Sequence, residues 1–164
     1  MVLYINASVR KESRTHKLAL EVLEGLGAYT ELRLRDMDLK PLGEETLAKR
    51  TALIDAGDYS DSMFNLAKQF AEADTIVISA PLYDCSFPAL LKIYLENIYV
   101  TGLVSKYDEN GQPVGLCKAK KLDYVSTAGG PYVSTFGYDY IKALATQCFG
   151  IPETELIYKD MLDI

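Results

Sequence analysis

The sequence predicts an α/β domain built on a doubly wound, five-stranded parallel sheet. Short β-prone runs alternate with segments of helical periodicity, one run is apolar at almost every position, and no internal repeat interrupts the order. Strands that alternate with helices at this spacing imply right-handed crossovers and helices on both faces of the sheet. Because the chain has 164 residues, 49% of them apolar, we expect a single domain spanning residues 1–164.

The first part of the chain predicts two strands and two helices. Residues 2–6 are β-prone and apolar, and after a polar loop the apolar residues recur at helical spacing over 18–26. Residues 29–35 alternate apolar with charged side chains, which is typical of a strand near a sheet edge. Residues 44–56 predict a short charged helix that ends at Gly57.

The middle of the chain predicts the central strand. An apolar face over 64–71 indicates a helix, for which Ser60 or Asp61 is the expected cap. Residues 75–80, TIVISA, are almost continuously apolar, as in a strand that is buried on both faces. Pro88 then begins a further helix.

The last part departs from simple alternation. Residues 104–116 predict a protruding hairpin, because two short β-prone pieces flank an Asn-Gly pair that favours a tight turn. Residues 121–127 predict the fourth strand, 136–149 the fourth main helix and 154–158 the fifth strand. A doubly wound domain ordinarily has one more helix after that strand, so we expect the final helix to be lacking, through truncation or through cover by a partner.

Composition narrows the classes of function. The formal charge is −6 and the basic residues are dispersed, so nucleic acid is not an expected partner. No segment approaches the roughly 20 apolar residues that cross a bilayer, and we expect a soluble, cytoplasmic protein with no membrane partner. The three cysteines lack metal-type spacing and His16 is the single histidine, so we expect no disulfide framework, zinc site or histidine-activated nucleophile.

Ligands of open parallel sheets bind beyond the carboxyl ends of the strands, and three loops leave those ends here. The first, ASVRKESRTH over 7–16, brings hydroxyls, two arginines and the backbone donors of a helix start together. That combination suits a phosphate group. The same residues would also serve as an ordinary helix cap with both arginines in water.

The other two loops suit a flat ring. In PLYDCSFP, over 81–88, a proline, a large apolar residue and a tyrosine follow the most buried strand. Simple packing would use the same residue types. In STAGGPY, over 126–132, the adjacent Gly129 and Gly130 permit close approach of a ligand to the backbone, or else serve a tight turn.

Four segments together resemble a known family: SVRKESRT (8–15), APLYDCSFPALLK (80–92), KYDENGQPVGL (106–116) and STAGGP (126–131). They are similar, in order and over nearly the whole chain, to the NAD(P)H-dependent FMN oxidoreductases, which include FMN-dependent NADH-azoreductases and NAD(P)H:quinone reductases. The resemblance implies a flavodoxin-like sheet of order 2-1-3-4-5 and FMN at the interface of a homodimer. It also implies ping-pong transfer of two electrons, from NADH or NADPH to quinones, azo compounds or similar small aromatic acceptors.

The resemblance further assigns the three loops to parts of FMN. The residues so assigned are, for the phosphate, Ser8, Arg10, Ser13, Arg14 and Thr15; for the isoalloxazine ring, Pro81, Leu82, Tyr83 and Asp84; and for the far side of the ring and the ribityl chain, Ser126, Thr127, Gly129 and Gly130. No catalytic side chain and no metal ligand is assigned, because the flavin carries the chemistry. Asp84 stands where azoreductases commonly have asparagine, and its carboxylate would lower the flavin potential if it faced the ring.

Two alternatives from other classes stay open. One is a flavodoxin-type electron carrier with no substrate of its own, against which the hairpin and the resemblance argue. The other is a non-catalytic flavin-binding scaffold. Rapid reduction by free NADH would eliminate the carrier, and tight FMN binding with turnover would eliminate the scaffold.

Overall fold

A five-stranded, all-parallel sheet organises the chain in a computed structural model that describes residues 1–164. In chain order the strands are β1 (Val2–Asn6), β2 (Tyr29–Arg33), β3 (Thr75–Ser79), β4 (Ser105–Tyr107), β5 (Pro113–Gly115), β6 (Lys121–Thr127) and β7 (Glu153–Lys159). The sheet order is β2-β1-β3-β6-β7, and β4 pairs with β5 in a separate antiparallel hairpin. With the hairpin strands set aside, the predicted order 2-1-3-4-5 is confirmed.

Helices cover both faces of the sheet. They are α1 (Arg14–Glu24), α2 (Glu44–Asp55), α3 (Asn65–Glu72), α4 (Ala89–Ile98) and α5 (Tyr138–Ala143), and α5 continues as a π-helical segment over Leu144–Phe149. Helix α1 packs on one face over a cluster of six buried residues, and α3, α4 and α5 pack on the other over a cluster of 25. None of these helices is both long and apolar enough to cross a membrane.

Strand β3 lies in the middle of the sheet, as its composition predicts. Ile76 and Ile78 face the larger cluster while Val77 faces α1, and all three are fully buried. Because both faces of this strand meet a helix layer, apolar residues are required at successive positions and not only at alternate ones. The carboxyl end of β3 therefore lies between the ends of β1 and β6.

Some element boundaries differ from the predicted ones for local reasons. Strand β2 ends at Arg33, and the next three residues form a 3-10 turn that buries Leu34 completely. The helix predicted over 136–149 begins at Tyr138 and widens into the π-helical segment before Gly150 ends it with φ 76°. A glycine is suited to that left-handed cap because it has no Cβ to collide with the preceding carbonyl.

The hairpin has a longer connection than the tight turn predicted from Asn110 and Gly111. The Asp108 carboxylate accepts hydrogen bonds from the Asn110 and Gln112 N–H groups, each at 2.8 Å. The Asp108 N–H in turn donates to the Gln112 carbonyl at 2.9 Å. An aspartate that bonds its own backbone in this way stabilises a wider loop, so the side chain overrides the two-residue preference of Asn-Gly.

No helix follows β7 within residues 1–164. Instead residues 160–164, here called the return segment, lie against the loop that follows β6. The N–H groups of Met161, Leu162 and Asp163 donate to carbonyls of residues 130, 128 and 129, at 3.1, 3.3 and 3.0 Å respectively. The return segment is thereby fixed at the carboxyl edge of the sheet, where ligands of such folds bind.

Candidate functional site

The loop after β1 is organised around two serines. Ser13 caps α1, since its Oγ accepts a hydrogen bond from the His16 N–H at 3.2 Å. The same hydroxyl donates to Ser8 Oγ at 2.9 Å, and Ser8 is only 2% exposed. Ser8 therefore supports the loop from beneath, and Ser13 presents its hydroxyl at the helix N-terminus, where partial positive charge and free N–H groups favour an anion.

A buried polar network holds this loop in place from below. Asn6 Oδ1 accepts from the Ser8 N–H at 3.0 Å, and Asn6 Nδ2 donates to Glu31 Oε1, also at 3.0 Å. Partial burial raises the pKa of Glu31, but hydrogen bonds from Arg33 and Asn6 outweigh it, so the pKa lies below its ordinary value. The ionised carboxylate fixes the orientation of the Asn6 amide, and the amide orients the loop.

His16 belongs to the same network. Its Nδ1 lies 2.8 Å from Tyr4 Oη and 3.2 Å from Asn6 Nδ2, and the His16 and Tyr4 rings stack at 5.9 Å. Tyr4 Oη also lies 2.8 Å from the Ser79 hydroxyl at the end of β3. The single histidine thus lies beneath the loop as a supporting group.

Thr127, the last residue of β6, connects all three loops. Its hydroxyl lies 2.7 Å from the Thr15 hydroxyl on α1, and its carbonyl accepts from the Leu82 N–H at 3.0 Å. Its neighbour Ser126 is fully buried and donates to the Ala80 carbonyl at 2.7 Å. Because these bonds cross from strand to strand, the loops are held at fixed separations at one edge of the sheet.

The three loops enclose one pocket of about 170 Å³. Nine of the thirteen residues assigned from the sequence line it, and four do not: Ser8, Asp84, Ser126 and Gly130. The complete lining is Arg10, Glu12, Ser13, Arg14, Thr15, Pro81, Leu82, Tyr83, Thr127, Gly129 and Asp163. The sequence reasoning missed Glu12 and Asp163, the two carboxylates.

Asp163 reaches the pocket from the return segment. Its Oδ1 accepts a hydrogen bond from Arg14 Nη1 at 2.8 Å, and the same nitrogen donates to the Leu162 carbonyl at 3.0 Å. The Arg14 guanidinium holds the pKa of Asp163 below its ordinary range. One signal could have identified this residue, because the end of β7 is a carboxyl end of a parallel strand like the other three.

The loop after β3 ends in a two-residue turn. Tyr83 and Ser86 exchange two backbone hydrogen bonds of 2.8 Å, while Asp84 and Cys85 adopt φ of 49° and 64°. A left-handed conformation costs a residue other than glycine about 1–2 kcal/mol. Since the Leu82 and Tyr83 N–H groups already have acceptors, the backbone donors that this loop presents outward are those of Asp84 and Cys85 at its exposed tip.

The groups in the pocket divide by chemistry. The loop after β1 and the start of α1 contribute two guanidinium groups and the hydroxyls of Ser13 and Thr15, and β6 contributes the Thr127 hydroxyl. The loop after β3 contributes Pro81, Leu82 and Tyr83, and Glu12 and Asp163 add two carboxylates. Gly129 has no side chain, and a Cβ there would overlap the Asp163 carboxylate. This donor set fits a phosphate monoester joined to a flat, largely apolar ring.

Comparison with known proteins gives a consistent result. Residues 1–152 match the family profile described as Flavodoxin-like fold. The chain is 33% identical over 174 residues to the FMN-dependent NADH:quinone oxidoreductase of Clostridium perfringens, covering 99% of this chain and 87% of that protein. It is 38% identical over 179 residues to FMN-dependent NADH:quinone oxidoreductase 2 of Clostridium acetobutylicum, with the same two coverages of 99% and 87%.

Solved structures with the same fold include two from Bacillus anthracis. The azoreductase of strain Sterne aligns with a TM-score of 0.83 at 23% identity, over 99% of this chain and 87% of that one. The FMN-dependent NADH-azoreductase of strain Ames Ancestor, in complex with FMN, aligns with a TM-score of 0.80 at 22% identity, over 99% and 88%. At these identities the structural likeness concerns the fold.

Proposed function

The chain belongs to the FMN-dependent NADH:quinone oxidoreductase family, and we propose that it transfers two electrons from NADH or NADPH, through FMN, to quinones, azo compounds or similar small aromatic acceptors. One observation carries this proposal. Thr127 joins the loop rich in phosphate donors to the loop that suits a ring, so that both lie around a single pocket. The names of the relatives supply the identity of the cofactor and the acceptor class.

The phosphate end of the pocket uses residues of the first loop. Thr15 Oγ1 and the first N–H groups of α1 would donate to phosphate oxygens, with Arg10 contributing positive charge. Ser13 would donate there as well if its bond with Ser8 Oγ reversed direction, so that Ser8 became the donor. Ser8 lies beneath Ser13 and would position it without contacting the phosphate. Thr15 is held by α1 and Ser13 by its bonds to Ser8 and His16, so little order has to be created in these two residues on binding.

The ring end uses the other two loops. Pro81 and Leu82 would pack on the isoalloxazine ring. The N–H groups of Asp84 and Cys85, at the exposed tip of the same loop, would donate to its polar edge. Gly129 lines the pocket and would let the ribityl chain approach the backbone beside the Asp163 carboxylate. Gly130 lies outside the lining, and buried Ser126 supports the strand end. When bound, FMN supplies the hydride-accepting and electron-donating chemistry; the residues of this chain bind it and orient it.

A homodimer forms part of the same proposal. The Phe136 side chain is 63% exposed. The residue lies beside the loop after β3, because the Phe136 carbonyl accepts a hydrogen bond from Ser86 Oγ at 2.6 Å. Nearby, an open apolar groove of about 430 Å³ lies between α2, α4 and α5. Exposed aromatic and apolar surface of this kind suits a protein interface, and a partner subunit there would complete the acceptor side of the ring.

An FMN titration followed by anaerobic addition of NADH tests the proposal. We expect one FMN per chain, rapid bleaching of the flavin absorbance, and NADH-dependent reduction of menadione without a partner reductase. Bleaching only in the presence of a separate reductase would identify an electron carrier. Binding without reduction or turnover, with either nicotinamide, would identify a scaffold, and absence of flavin binding would overturn the proposal.

A further inference from the structure

The phosphate end of the pocket contains a carboxylate of the protein itself. Asp163 bonds Arg14 at 2.8 Å within the same pocket that Ser13 and Thr15 line. Its position is built into the fold, because the backbone N–H groups of the return segment pair with carbonyls of residues 128–130. The carboxylate also lies directly over Gly129. A Cβ on Gly129 would overlap with it.

The charged residues that line the pocket are balanced in number and sign. Arg10 and Arg14 bring two positive charges, and Glu12 and Asp163 bring two negative ones. The two carboxylates differ in their partners, because Glu12 lies 3.7 Å from the Lys17 ammonium group on the outside of α1 while Asp163 takes the Arg14 guanidinium. A phosphate monoester, with a charge of about −1.5 to −2, would bind to the same guanidinium.

We propose, on the basis of the proposed function, that Asp163 is an internal competitor of the flavin phosphate. The carboxylate and the phosphate compete for the Arg14 guanidinium. Asp163 therefore weakens FMN binding and reduces the preference of the protein for FMN over riboflavin. Two separate properties of the position act in this direction. The carboxylate repels the phosphate, and it occupies the Arg14 guanidinium within the pocket that Thr15 and Gly129 also line. A free protein would thus hold Arg14 in place until FMN arrives.

The opposite arrangement is a clasp, in which the Arg14–Asp163 pair stays closed over bound FMN and retains it. The two arrangements predict opposite changes in FMN affinity for one isosteric substitution. Asp163→Asn removes the negative charge and keeps the volume, and the backbone bonds of the return segment are unaffected. Competition predicts tighter FMN binding by this variant, and a clasp predicts weaker binding.

The test measures dissociation constants for FMN and riboflavin by quenching of flavin fluorescence, in the wild type, Asp163→Asn and the matched control Glu12→Gln. We expect Asp163→Asn to bind FMN about fivefold more tightly, the range of a solvent-exposed charge interaction. Riboflavin, which has no phosphate, should bind both proteins within about twofold. Glu12→Gln removes an equal charge from the same pocket without freeing Arg14, so its gain in FMN affinity measures charge repulsion alone and should be smaller than the gain of Asp163→Asn.

Arg14→Gln in both backgrounds completes the cycle. Competition predicts a larger loss of FMN affinity in the Asp163→Asn background than in the wild type, because only there is Arg14 free for the phosphate. Unchanged or weaker FMN binding by Asp163→Asn, or an equal gain for riboflavin, overturns the inference while leaving the proposed function intact. Absence of FMN binding in every variant overturns both.

Discussion

The Thr15 hydroxyl on the first turn of α1 lies 2.7 Å from the Thr127 hydroxyl at the end of β6. Both side chains are largely buried, with exposures of 1% and 7%. This hydrogen bond is the direct link between the loop after β1 and the loop after β6. The geometry of the pocket therefore depends on a pair of residues 112 positions apart in the sequence.

Thr15→Val should weaken both the fold and FMN binding. The valine keeps the shape but removes the hydroxyl, which leaves the buried Thr127 hydroxyl without its partner at a cost of about 1–3 kcal/mol. FMN affinity should fall about tenfold or more, since a hydrogen bond to a charged phosphate is lost as well. Urea unfolding and FMN titration measure the two effects. Thr15→Ser retains the hydroxyl and is the control; if it were as impaired as Thr15→Val, the methyl group and not the hydroxyl would matter.

Glu31 should give the protein a component of stability that depends on pH. Its pKa in the folded state lies below the ordinary value of 4.5, because hydrogen bonds from Arg33 and Asn6 outweigh the effect of burial. A lowered pKa contributes stability above the ordinary value, and this contribution is lost as pH falls through the folded-state pKa. At pH 7 we expect Glu31→Gln to be less stable than the wild type by about 1 kcal/mol.

The measurement is chemical denaturation of both proteins between pH 7 and pH 3. The difference between wild type and Glu31→Gln should shrink as pH falls below 4.5. Glu24→Gln, at an exposed position at the end of α1, should behave like the wild type at every pH. A difference that stays constant down to pH 3 would contradict the assignment to the carboxylate charge.

Cys85→Gly should stabilise the protein. Cys85 has φ 64° at the second position of the turn after β3, a conformation that glycine adopts without steric cost. Relief of that cost is offset in part by the greater freedom of glycine in the unfolded chain, so a net gain of about 0.5–1 kcal/mol is expected. Thermal unfolding measures it. Cys85→Ala removes the thiol but keeps the Cβ, and a gain there equal to that of glycine would show that backbone strain is not the cause.

Gly115→Ala should destabilise the protein by about 1–3 kcal/mol, the usual cost of overpacking. A Cβ on Gly115, in the second hairpin strand, would overlap the backbone of Phe149 and Gly150 at the end of the π-helical segment. Backbone cannot move aside as a flexible side chain can. Gly43→Ala, with no atom within 4 Å of the added methyl, is the matched control. Equal urea midpoints for the two variants would show that the hairpin does not pack tightly on the helix end.

The fold was predictable because its signals are local. The continuous apolar run over 75–80 marks β3 as the centre of the sheet, and the charged alternation over 29–35 marks β2 as its edge. The π-helical segment over 144–149 was not predictable. Each of its hydrogen bonds spans one residue more than in an α-helix, and over six residues this leaves almost the same pattern of apolar positions. The wide hairpin loop escaped prediction because the carboxylate of Asp108 competes with a backbone preference.

The sequence by itself determined which loops carry the chemistry, because hydroxyls, arginines and glycines at the carboxyl ends of parallel strands can be read in order along the chain. Only the tertiary structure decided which of those groups face the pocket: Ser8 and Ser126 lie beneath it, while Asp163 enters it from the return segment and bonds Arg14. The physical reason is that strand pairing fixes where each loop begins, whereas the direction of a side chain depends on hydrogen bonds to residues far away in the sequence.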